Sequence, residues 1–461
     1  MGSMKTALFW KLLERGGAKG LRLLIQIVLA RILAPEEFGL LAILLVFVSL
    51  SDILILGGLG ASLLRMPNVQ RVDYSTAFWL SGAFSLVAFI ALSLLSPSIA
   101  SFYAQPDLLL PLIVLALQFF PLSFNSVQVA KTTRDLNTKP IFIGVISAEL
   151  LAGVVALVLA YCGLGLWSLV VQQLLSAVAT CLFTATLVRW RPYFEFSWDS
   201  ARELLRFGYK VMLTDLLNNS ASSLYTMAIG KVFNPAQLGF YSQGQKYPLA
   251  ISEVLTGALT PVLLAGFAEK RHRARDEFMT STRQAARFTS ILLAPATAFC
   301  ILFASDLVCR LLLEKRLPCV TIFQLYCVAS LSRSLTLITR QGIMATGNAR
   351  DPLLIAILKL VSSLALFGIV VLMGGSLILI TAVWVCACVI EQGATMVSAR
   401  KSFGYKISVQ CFDILPGMAS SFSGLALALV AQSFGFHALV SALAFAIGCL
   451  SLSILALKGR R

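Results

Sequence analysis

The sequence predicts an all-α polytopic membrane protein of about fourteen transmembrane helices, in two pseudo-symmetric six-helix bundles followed by two further helices. Three observations carry this: composition, the alternation of basic gaps, and an internal repeat. The chain has 461 residues, 58% hydrophobic and 13% charged, against about 25% charged in a soluble domain. Its apolar residues gather in runs near the ~20 residues that cross a bilayer. Backbone groups in lipid must pair within their own segment, so the runs read as helices.

The spans fall near 8–33, 38–62, 74–97, 108–132, 140–161, 165–188, 206–232, 236–266, 284–304, 318–345, 352–373, 376–398, 411–433 and 436–457. The gaps are short, and the longest polar ones (189–205 and 267–283) leave no room for a soluble domain. Pro121, Pro261 and Pro295 fall inside spans, where each removes a backbone donor and can kink the helix.

The net charge of +16 invites a nucleic-acid partner, but its distribution argues against one. Lys and Arg crowd alternate gaps: Arg65 and Arg71; Lys131, Arg134 and Lys139; Arg189, Arg191 and Arg202; Lys270 to Arg283; Arg350; Arg400 to Lys406; and the C-terminal end. The opposite gaps hold little beyond Arg310, Lys315 and Arg316. This is the positive-inside pattern, and it puts both termini in the cytoplasm. The run Arg271-His272-Arg273-Ala274-Arg275 reads as a topology signal that meets anionic membrane lipids.

LARILAPEEFGL at 29–40 returns as IGKVFNPAQLGF at 229–240, pairing Arg31 with Lys231, Pro35 with Pro235 and Gly39 with Gly239. A second echo, one residue out of step, pairs Gln128 to Pro140 with Gln341 to Pro352. The repeat divides the chain into an N-lobe at 1–195, a C-lobe at 196–405 and an accessory pair at 406–461. Both halves begin on the same side of the membrane, so the repeat is parallel.

Charges inside spans are costly and tend to face a cavity or a partner. Arg15, Lys19, Arg22 and Gln26 are spaced four, three and four along the first span, which is one helical face. At the repeat offset the seventh span carries Asp215, Asn219, Ser222 and Thr226. Two aligned polar faces are expected to line a water-accessible cleft. The basic face suits a phosphate or diphosphate, with Arg binding through its planar fork and Lys as a point charge; snorkelling of Arg15 to the interface is the bland reading of that residue. Lys246, Arg333, Arg340 and Lys359 are further substrate-binding candidates, and Asp215, Glu253 and Glu149 are ion-coupling candidates. Asp215 equally reads as an ion-pair partner, and Glu149 and Lys359 as members of a pair inside a bundle. Glu391 is expected near the membrane interface.

The sequence offers no catalytic centre. It has no P-loop, nucleophile elbow or HExxH motif. Its histidines, His272 and His437, lie in separate gaps, so neither a metal site nor a cofactor is expected. The cysteines read as small packing residues, with Cys309 and Cys319 flanking one outer gap as a possible disulfide.

With the segments LARILAPEEFGLLAI (29–43), GLGASLLR (58–65) and LRFGYK (205–210), the chain resembles Wzx-type oligosaccharide flippases. These belong to the polysaccharide-transport group of the MOP (multidrug/oligosaccharidyl-lipid/polysaccharide) superfamily, and the resemblance is to the branch of colanic acid translocase-like exporters. It implies the MOP fold and movement of undecaprenyl-diphosphate-linked oligosaccharide across the bacterial inner membrane by alternating access, coupled to H+ or Na+. Polymerase and glycosyltransferases of surface or exopolysaccharide synthesis would be its partners. It also implies that Arg15, Lys19 and Arg22 hold the diphosphate. Two alternatives remain open: an ion-coupled multidrug or metabolite antiporter of the same superfamily, and a non-transporting scaffold of the polysaccharide machinery.

Overall fold

The computed structural model describes the backbone of residues 2–461 except 57, 67, 136, 189, 272–274, 347, 349, 434–440 and 450–461. Side chains at 2–15, 214, 217–218, 254–271, 275–276 and 314–315 also lie outside the description. The first compact unit, Met1–Ser242, contains α1 (Gly2–Ile32), α2 (Pro35–Leu56), α3 (Leu59–Arg65), α4 (Arg71–Tyr103), α5 (Leu109–Ala116), α6 (Phe119–Arg134), α7 (Lys139–Tyr161), α8 (Leu166–Val188), α9 (Trp198–Val232) and the start of α10 (Pro235–Arg271). The second, Gln243–Arg461, holds the rest of α10 with α11 (Arg275–Leu302), α12 (Ala304–Leu312), α13 (Val320–Ala345), α14 (Arg350–Leu372), α15 (Leu377–Phe403) and α16 (Ile407–Ser433). Helix and short turns make up the chain, with no strand among the described residues. The all-α polytopic architecture is as the composition requires.

Ten helical segments among the described residues are long and apolar enough to cross a membrane, and each coincides with an expected span. Helices α1, α9 and α10 run continuously across three of the other expected spans, and part of each lies outside the described side chains. The span expected at 436–457 is described only over 441–449, and that piece is helical. Large side chains cover the outside: Leu94 is 75% exposed, Leu372 89% and Phe422 71%. Such an apolar exterior is what a lipid solvent permits.

Two expected spans are broken. Residues 38–62 divide into α2 and α3 at Gly58, whose φ of 67° lies in the left-handed region, where glycine alone is unstrained. A Cβ there would also overlap the Gly208 carbonyl of α9. Residues 108–132 divide into α5 and α6 around Leu117 and Gln118, because Pro121 cannot donate to the Leu117 carbonyl one turn back.

Within the first unit α9 packs along α2, α3 and α4, whereas the sequence repeat places it in the second lobe. The copies of the repeated motif therefore meet. A Cβ on Gly39 would overlap the Pro235 carbonyl, and one on Gly239 would overlap the Pro35 carbonyl. Both helices start on the repeated proline, suited to the first turn. The same two positions of the motif bond at each start but in opposite senses: Glu37 accepts from the Ala34 amide, whereas Asn234 accepts from the Gln237 amide, both at 2.8 Å. Serines tie the helices together: Ser85 donates to the Phe119 carbonyl at 3.0 Å, and in the second unit Ser252 and Ser334 bond at 2.6 Å. Small polar residues of this kind let helices approach closely in lipid.

Candidate functional site

The site is best built from α1. Gly153 of α7 receives the Ile25 side chain and Gly144 of α7 receives Thr184 of α8, so three helices pack tightly. That packing sinks Glu149 of α7 to 2% exposure. Burying a lone carboxylate is expensive, and it must be paired. Arg22 of α1 supplies the pair, donating to Glu149 Oε1 through Nε at 3.1 Å and through a terminal nitrogen, while Ser176 of α8 donates at 2.8 Å. The Arg22 side chain remains 47% exposed. Glu149 thus fixes one edge of the guanidinium of a half-exposed side chain, beside half-buried Lys19 and buried Gln26 on the same face. Arg15 lies outside the described side chains.

The α9 face is only partly accessible. Asp215, Asn219 and Ser222 are exposed, whereas Thr226 is buried. Asn219 donates to the Asp215 carbonyl at 2.8 Å, and Ser222 and Thr226 bond back to carbonyls of their own helix at 3.0 Å. On α10, Gln243 is buried and accepts from Tyr247 at 2.9 Å, Lys246 is half-buried and Glu253 is exposed.

In the second unit, Arg333, Thr336 and Arg340 share one face of α13. Thr336 Oγ1 and Arg340 Nε are buried without a hydrogen-bond partner among the described residues. Lys359 of α14 is paired with Glu391 of α15 at 2.6 Å, with its ammonium 5.2 Å from the Trp384 ring centroid. Glu391 is thus buried in a helix pair, with Lys359 neutralising it. Cys309 and Cys319 are free thiols. Among the described residues no His, Cys, Asp or Glu group could hold a metal ion.

Two features escaped the sequence reading. Asp52 of α2 has Oδ1 buried without a partner among the described residues. Asp413 of α16 is fully buried and accepts from Arg283 (2.8 and 3.3 Å), Arg287 (2.5 Å) and Tyr405 (2.9 Å). The signal for both was a single acid inside an apolar span, the criterion already applied to Glu149 and Asp215.

The chain is 27% identical to the succinoglycan biosynthesis transport protein ExoT of Rhizobium meliloti (strain 1021) over 62% of its own length and 58% of the relative's. It is 26% identical to the lipopolysaccharide biosynthesis protein WzxC of Escherichia coli (strain K12), over 68% and 64% respectively. The matched region thus spans about three-fifths of these relatives. Among solved structures, the lipid II flippase MurJ in an inward closed conformation superposes with a TM-score of 0.76 at 11% identity, covering 99% of both chains. An outward-facing multidrug resistance MATE family transporter of the MOP superfamily gives 0.57 at 18% identity, covering 88% of this chain and 97% of that one. The fold is therefore the MOP fold. The family model described as "Polysaccharide biosynthesis protein" matches residues 28–321, more than half of the chain, and the protein belongs to that family.

Proposed function

We propose that the protein is a flippase that moves polyprenyl-diphosphate-linked oligosaccharide units across the bacterial inner membrane by alternating access, for surface or exopolysaccharide synthesis. Both termini would be cytoplasmic, as the distribution of Lys and Arg requires. The observation that carries the reading is the Arg22–Glu149 arrangement. A half-exposed guanidinium on a basic, membrane-embedded helix face is held in place by a buried carboxylate. A diphosphate would take the guanidinium's accessible edge as a charge-assisted, forked hydrogen bond. Arg15 and Lys19 on α1 would add charge, and Gln26, Lys246, Arg333, Arg340 and Lys359 are the remaining substrate candidates. The working lobes in this reading are 1–195 and 196–405, with 406–461 as an accessory pair.

The names of the relatives support the substrate class, since ExoT and WzxC are named for succinoglycan transport and lipopolysaccharide biosynthesis and MurJ for flipping lipid II. The role is transport rather than catalysis, upstream of a polymerase and downstream of glycosyltransferases. H+ or Na+ is the proposed coupling ion, with Asp52 joining Asp215, Glu253 and Glu149 as candidate sites. Charge reversal at Arg22 is expected to abolish polysaccharide export at normal membrane levels of protein; unaltered export would remove Arg22 from the substrate site. Asp52→Asn, Asp215→Asn and Glu253→Gln, assayed in vesicles with imposed H+ or Na+ gradients, should identify the coupling residue by lost gradient dependence. Retained dependence in all three would leave Asp52, Asp215 and Glu253 without support as coupling sites.

A further inference from the structure

The two segments GLGASLLR and LRFGYK, about 140 residues apart in sequence, are packed against each other, and they line an open cavity that the flippase reading does not use. Its volume is about 480 Å³, and its lining includes Arg65, Glu203, Arg206, Phe207 and Lys210. That is the size of an ordinary small-molecule site, roughly 300–1,000 Å³.

Arg65, Glu203, Arg206 and Lys210 are exposed at the mouth of the cavity, but the backbone that carries them is fixed. Gly58 abuts the Gly208 backbone with no space for a Cβ, and Ser62 donates to the Leu204 carbonyl at 2.9 Å across the α3–α9 junction. Arg134 of α6 donates to the Leu63 and Met66 carbonyls at 2.9 and 2.6 Å, closing the end of α3. Ser200 of α9 donates to buried Asp73 of α4 at 2.6 Å, holding the first turn of α9. Arg65 lies over the Phe207 ring at 4.4 Å, so its guanidinium is oriented before any ligand arrives. Three cations from two rigidly joined helices thus converge on one space with a single carboxylate, Glu203, among the lining residues.

We propose that this cavity is a phosphate-binding site, distinct from the α1 face, in which Arg65, Arg206 and Lys210 hold a phosphate or diphosphate group. Arg supplies paired donors to phosphate oxygens and Lys a point charge. The group could belong to an anionic lipid headgroup or to a soluble phosphate compound, and the chemistry of recognition is the same.

The test uses the purified full-length protein and two probes. Inorganic pyrophosphate binding is measured by calorimetry, and retention of phosphatidylglycerol against phosphatidylcholine is measured by native mass spectrometry. The double substitution Arg65→Gln/Arg206→Gln is expected to weaken pyrophosphate binding at least about tenfold. Glu203→Gln should tighten it several-fold by removing the opposing charge, a gain that misfolding cannot produce. Arg22→Gln should remove only binding at the α1 face and leave the Arg65/Arg206-dependent binding in place, which separates this site from the transport reading. Selective retention of phosphatidylglycerol, lost in the double variant, assigns the site to a membrane lipid; loss confined to pyrophosphate assigns it to a soluble phosphate. Unchanged pyrophosphate affinity in both cavity variants, no binding by the wild type, or loss of the Arg65/Arg206-dependent binding on Arg22→Gln would overturn the proposal.

Discussion

Glu149 in the first unit and Asp413 in the second are both carboxylates sunk among apolar helices, but their partners differ. Asp413 is met on both oxygens by two arginines one helical turn apart on α11 and by Tyr405. Ser290 donates to the Ile414 carbonyl at 2.7 Å beside it, and Gly417 lies against the Ser290 backbone. This arrangement ties α16 to α11. Glu149 instead holds a single arginine, and that arginine is 47% exposed on a face it shares with Lys19. A buried charge in a membrane protein is therefore not enough to mark a working site. What separates an anchor from a site is whether the counter-ion is used up by the pair or only steered by it.

The largest expected effect comes from breaking the anchor. Asp413→Ala leaves Arg283 and Arg287 facing each other without a counter-charge and should cost about 3–5 kcal/mol of stability. Thermal unfolding in detergent measures this, and wild-type stability would show that α16 needs no such tie. Glu149→Gln should cost less, about 1.5–3 kcal/mol for a lost charged hydrogen bond, yet reduce transport more than the anchor variants that still fold. The exchange Arg22→Glu/Glu149→Arg sharpens the contrast: it should recover much of the stability and none of the transport. Recovery of both would make the pair another anchor.

Gly39→Ala should cost about 1–3 kcal/mol by overpacking, because the obstructing atom is the Pro235 backbone oxygen, not the end of a flexible side chain. Gly239→Ala should match it, because the repeated motifs meet reciprocally; a loss in only one would break the equivalence. The smallest effect belongs to Lys131→Ala, since the Lys131–Asp135 pair is spaced i,i+4 and solvent-exposed. A loss within about 0.5 kcal/mol is expected there.

Much of this was written in the chain at the level of single helices. The ten apolar spans follow from hydropathy alone, and α1, α9 and α10 were recoverable because polar residues recur on one face and the Pro-x-x-x-Gly motif returns 200 residues later. Pairing was not legible. Arg22 and Glu149 both stood out as intramembrane charges, but nothing in one sequence brings together residues 127 apart. The same limit hid the Gly58–Gly208 approach, which joins segments 150 residues apart. Asp413 and Asp52 were legible and passed over, being lone acids in apolar runs without a polar face beside them. Arg65 and Arg283 were counted as topology charges, which hid a cavity wall in one case and an anchor in the other.

The most direct test of the central claim is reconstitution of the purified protein in liposomes with a fluorescent, diphosphate-linked sugar lipid, comparing wild type with Arg22→Gln at matched incorporation. The account predicts protein-dependent movement of the lipid between leaflets, slowed at least about tenfold in the variant. Movement at the same rate with and without the protein would contradict the flippase function. Equal rates for wild type and Arg22→Gln would contradict the role given to the Glu149-held guanidinium.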